Sequence, residues 1–134
     1  MKKNKLRLFK KLICLTAACA VSLQLFGITA FAAQETTSWS LYYNPSGPPA
    51  ENLTSWSRAM IAYGATSYFT VSSIANGASV KITVPNAASG SGAVFSSRYT
   101  DHPIRVTRGL TYTYTVKFVN YPGTPGRASG SIKH

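Results

Sequence analysis

The chain has 134 residues, and its 14 Lys and Arg against 3 Asp and Glu give a formal net charge of +11. Three carboxylates, two histidines and two cysteines leave little material for paired-carboxylate hydrolysis, a metal site or a disulfide framework. Eight tyrosines, two tryptophans and six phenylalanines, by contrast, are plentiful.

Residues 1–32 read as a secretory signal. Lys2, Lys3, Lys5, Arg7, Lys10 and Lys11 precede an apolar run from Leu12 to Ala33, and Ala30-Phe31-Ala32 ends it with small residues at the two positions a signal peptidase reads. Cleavage is expected between Ala32 and Ala33. An uncleaved anchor is the rival, since about 20 apolar residues can cross a bilayer, but Gln24, Gly27 and the Ala-x-Ala site oppose it. A lipoprotein signal at Cys19 is a further alternative, weakened by the short stretch Leu12 to Ala18 before it. The expected location is outside the cell, free or wall-associated, with membrane contact only through the signal segment before cleavage.

Both cysteines, Cys14 and Cys19, lie in that segment. Residues 33–134 must therefore cohere by core packing and backbone pairing alone, as a single domain. They keep Arg58, Lys81, Arg98, Arg105, Arg108, Lys117, Arg127 and Lys133 against Glu35, Glu51 and Asp101, so 8 − 3 leaves +5. A surface of that sign favours anionic partners or simply maintains solubility. Abundant Ser, Thr, Tyr and Val favours sheet over helix.

After a loose leader, Ala33 to Thr37, the stretch Thr37 to Tyr43 predicts a first strand with Trp39 and Leu41 on one face and Tyr42 on the other. Asn44-Pro45-Ser46-Gly47-Pro48-Pro49 predicts an exposed loop. Asn52-Leu53-Thr54 matches a glycosylation acceptor, which means little if the source is bacterial, as the signal segment suggests. Thr54 to Gly64 could be a helix capped by Thr54 or a strand; the surrounding strands favour strand.

Asn76-Gly77, between Thr66 to Ile74 and Ala78 to Val84, predicts a two-residue hairpin with Val71 opposite Ile82 and Phe69 opposite Val84. Pro85 to Gly92 is a connector, Ala93 to Tyr99 is extended, and Thr100-Asp101-His102-Pro103 is a turn. Leu110 to Val119 gives the clearest signal, with Leu110, Tyr112, Tyr114, Val116 and Phe118 on one face and Thr111, Thr113, Thr115 and Lys117 on the other. A three-residue loop, Thr107-Arg108-Gly109, would pair it with Ile104 to Val106; the alternative is a corner at Gly109 where the chain changes sheets. Asn120 to Gly126 is a loop, and Arg127 to His134 an edge strand.

Seven or eight short strands predict an all-β fold, a two-sheet antiparallel β-sandwich of jelly-roll or Ig-like type, with a barrel as alternative. No catalytic residues, metal ligands or cofactors are assigned. Glu51 and Asp101 could meet only by accident of fold, and Asp101-His102 suits turn chemistry better than a nucleophile triad. The expected role is non-catalytic binding of an anionic wall polymer or glycan through exposed aromatic and basic side chains. Candidate contacts are Tyr43 and Tyr121 beside proline-rich loops, Trp39 and Trp56 as core or platform, and Arg105 and Arg108. A cationic antibacterial or toxin-like protein and a structural matrix component are the alternatives; nucleic acid is not an expected partner of an exported chain.

Overall fold

The structure is a computed structural model that describes residues 33–120 and 123–134. The segment expected to be a signal, with Ala30 and Ala32 of the expected cleavage site, and Tyr121 lie outside the described residues; Ala33 is exposed. The strands in chain order are β1 (Thr36–Tyr43), β2 (Ser55–Ile61), β3 (Thr66–Ile74), β4 (Ser79–Thr83), β5 (Val94–Phe95), β6 (Tyr99–Arg105), β7 (Thr111–Asn120) and β8 (Gly126–Lys133). A 3-10 turn, Pro49–Glu51, follows β1. The ambiguous stretch is thus strand: Trp56 and Met60 turn toward Val116 and Tyr112 of β7, which supplies the apolar contact a lone helix would lack.

Two antiparallel four-stranded sheets form a sandwich, in the orders β1-β8-β3-β6 (sheet A) and β2-β7-β4-β5 (sheet B). The pairs β1·β8, β2·β7, β3·β6 and β4·β5 nest as in one long ribbon folded over itself, the connectivity of a jelly roll. Alternation decides the layers. Trp39, Leu41, Phe69, Val71, Ile104 and Ile132 of sheet A meet Met60, Val80, Ile82, Tyr112, Tyr114, Val116 and Phe118 of sheet B in one core. Phe69 stacks on Trp39 with centroids 5.4 Å apart and planes 12° from parallel, and its other ring neighbour, Phe95 at 5.4 Å, reaches over from β5.

Several expected pairings are corrected by this topology. Asn76-Gly77 does form a turn, with Gly77 at φ 77° and the Ala78 N–H donating to the Ala75 carbonyl (3.1 Å), but β3 and β4 belong to different sheets. Val71 pairs with Gly130 and Ile82 with Val116. The turn is a crossing between layers, and the matched apolar faces of the two strands are satisfied across the core rather than side by side. The same holds for Thr107-Arg108-Gly109. Gly109, at φ 82°, donates to the Ala62 carbonyl (2.8 Å), and Leu110 accepts from the Ala62 N–H (2.9 Å), so the corner is tied to the end of β2. Leu110 is consequently 54% exposed instead of sharing the core with Tyr112.

Thr100 to Pro103 is not a turn but part of β6, bulged where Asp101 takes φ 57° and its N–H donates to Thr70 Oγ1 (3.2 Å). Pro103 is tolerated because β6 is an edge strand. The last strand is central, between β1 and β3. Nor is the leader loose throughout: Glu35 and His134 exchange both backbone bonds (3.1 and 2.8 Å), and Gln34 Nε2 donates to the Thr66 carbonyl (2.6 Å). Between Ala93 and Tyr99 only Val94–Phe95 is strand.

Candidate functional site

The two tyrosines at the centre of β7 belong to the interior. Tyr114 is fully buried with its hydroxyl 2.7 Å from Ser67 Oγ, and Tyr112 accepts the Thr107 N–H (2.9 Å). Burial lifts the Tyr114 phenol above its ordinary value; the Ser67 bond offsets part of the rise and nearby Tyr112 adds to it. Burial likewise raises the Tyr43 phenol.

Among the candidate aromatic contacts, Trp39 and Tyr43 are 2% and 4% exposed: Trp39 takes the core alternative of its core-or-platform reading, and Tyr43 is corrected to a core residue. They share the parity of Leu41 on β1, so the face that carries one carries all three. Tyr43 packs edge-on to Phe118 at 5.1 Å, and its remaining edge meets a recess of about 250 Å³ lined with Pro45, Asn52 and Thr54. Trp56 is half-buried on the inner side of β2, packed against the core. Arg105 and Arg108 are exposed, but they are not brought together: Arg105 lies on β6 opposite Thr66, and Arg108 on the crossing to sheet B.

The remaining polar candidates diverge. Asp101 meets Thr70 at the bulge, whereas the His102 ring sets Nε2 2.9 Å from the Gly90 carbonyl and an edge against Phe95. Glu51 is exposed in the 3-10 turn. His134 is buried, with Nδ1 2.8 Å from the Ile61 carbonyl and Nε2 3.1 Å from Thr37 Oγ1. Its Nδ1 therefore carries the proton, and the ring clamps β1 to the end of β2. Among the described residues no three His, Cys, Asp or Glu side chains gather as a metal site would require.

The outer face of sheet A carries a different constellation. Residues of equal parity line up across β1, β8 and β3: Ser38, Ser131 and Thr70 form one row, and Ser40, Ser129 and Ser73 the next. Strands about 4.8 Å apart and a two-residue repeat of about 6.8 Å make this a shallow floor of six hydroxyls. At one end Tyr42 pairs with Arg127, whose guanidinium sits 5.2 Å from the ring centroid. At the other, Tyr68 pairs with Lys133, and Thr36 lies across from the same lysine. Tyr42 and Tyr68 are half-exposed. Parity against Leu41 and Phe69 could have found both tyrosines in the sequence; the serine rows need the register.

Comparison with protein-family models, curated proteins and solved structures finds no match to this chain.

Proposed function

We propose that the chain is an extracellular, non-catalytic binding module that takes polysaccharide or another anionic envelope polymer on the outer face of sheet A. The observation that carries this reading is the hydroxyl floor bounded at both ends by a tyrosine beside a cation. Tyrosine offers an apolar ring for the flat face of a sugar and a hydroxyl at its tip. Small serines keep the floor level and exchange hydrogen bonds with ligand hydroxyls at little cost in side-chain entropy. Arg127 presents a planar fork to a carboxylate or phosphate on the polymer, and Lys133 a point charge. No step in this scheme makes or breaks a bond.

The test is co-sedimentation of the purified protein with insoluble wall polysaccharide, and affinity electrophoresis in soluble polygalacturonate. Retention that persists partly in raised salt is expected, together with at least a fivefold loss in the Tyr42→Ala/Arg127→Ala variant at an unchanged melting temperature. The reading fails if the wild type is retained at no salt concentration, or if the double variant binds as well.

A further inference from the structure

We propose that the outer face of sheet B is a second docking surface, one that lies flat on an anionic lipid bilayer. It uses a different face from the glycan reading and does not depend on it.

Lys81 on β4 and Lys117 on β7 are direct cross-strand partners. Like charges so placed repel, and a sheet tolerates them at a cost in stability. No carboxylate side chain lies on either strand or elsewhere in sheet B: Glu35 is bonded to the end of β8, Glu51 is in the 3-10 turn and Asp101 is on β6. The apolar residues are as uneven. Of the six large hydrophobic side chains exposed among the described residues, four border sheet B: Val94 pairs with Lys81, Val119 follows Lys117 at the same parity on β7, and Ile61 and Leu110 lie at the opposite end, while Leu53 bridges to β1 and Tyr99 is on β6. Between them Ser57, Ala59, Thr83, Thr111, Thr113 and Thr115 are short, and the face carries no aromatic or acidic group.

Three kinds of occupant can be weighed against these facts. A soluble polyanion would answer the lysines and leave Val94 and Val119 in water. A second copy docked face to face would cover the valines but, because a two-fold contact uses the same patch twice, would place two patches of the same positive sign, neither with a carboxylate, in one contact. An anionic bilayer answers both features. Lipid phosphates take the two ammonium groups, and the flanking valines settle at the headgroup boundary.

Flotation with vesicles of phosphatidylcholine, with and without phosphatidylglycerol, tests this. Binding only to the anionic vesicles is expected, weakened roughly fivefold by Lys81→Gln or Lys117→Gln and also by Val94→Ser/Val119→Ser, which leaves charge unchanged. Lys81→Glu turns repulsion into attraction with Lys117, so it should melt no lower than wild type while losing the vesicles; that separates lost binding from lost fold. The Tyr42→Ala/Arg127→Ala variant should float as wild type does. Absence of binding to anionic vesicles overturns the proposal. So does indifference to the valine variant combined with full competition by soluble polyphosphate, which would indicate simple polyanion capture, or self-association that Lys81→Glu strengthens, which would indicate a second copy.

Discussion

The hydroxyls of Ser67 and Tyr114 lie 2.7 Å apart in the fully buried interior, one contributed by sheet A and the other by sheet B. Two polar groups in such a place stabilise only while each has the other. Ser67→Ala should cost about 1–3 kcal/mol because the phenol is left without a partner. The Ser67→Ala/Tyr114→Phe double variant should lose less than the sum of the single changes. Urea denaturation of the four proteins measures the coupling, and strict additivity would show the bond to be energetically silent.

Alkaline pH should act on the same group. With its folded value raised above 10.0, Tyr114 binds its proton more tightly folded than unfolded. The native state then holds more protons in that window, so stability falls as pH rises. The contribution is complete below pH 10 and is lost as pH climbs through the folded value, with buried Tyr43 acting in the same direction. Melting temperatures followed from neutral pH to beyond pH 10 should decline, and less so for Tyr114→Phe. A flat profile in the wild type would contradict this.

Gly130 lies beneath Trp39 in the middle of sheet A. A β-carbon there would strike the Thr70 carbonyl oxygen and come within 2.7 Å of Trp39 Cζ2. Gly130→Ala should destabilise by at least about 2 kcal/mol, as overpacking does. Its outward neighbours differ: Ser129→Ala and Ser131→Ala should stay within about 0.5 kcal/mol. Thermal melts of the three variants decide it.

The layer crossing at Asn76-Gly77 can be tested by cross-linking. Ser40 and Ser129 are direct partners on β1 and β8, close enough for a disulfide, whereas Ser72 and Lys81 sit on strands of different sheets. Ser40→Cys/Ser129→Cys should oxidise to an intramolecular bridge seen as a mobility shift, and Ser72→Cys/Lys81→Cys should not. The reverse result would restore a hairpin.

How the sequence encodes this fold explains both what could be read from it and what could not. Alternation marks each strand and says which side chains turn inward, so Tyr112, Tyr114, Val116 and Phe118 were legible as core residues. It does not say which sheet a strand joins. Val71 and Ile82 can satisfy one another as ladder partners or from opposite layers, and an Asn-Gly turn permits either. Trp39 was legible as core or platform and lies in the core; Tyr43, singled out because it adjoins a proline-rich loop, follows the parity of Leu41 inward instead. The Lys81–Lys117 pair could not be seen at all, since two distant positions become neighbours only once the strand order is known.

The placement of β8 has a kinetic consequence. Gly126–Lys133, last in the order of the eight described strands, stands between β1 and β3 and supplies partners to both. β3 and β6 can pair without it, but β1 joins sheet A only through β8, and the nested ribbon demands contacts between the first and last of these strands. Pairings this distant in sequence make for slow condensation, as in other folds dominated by non-local contacts.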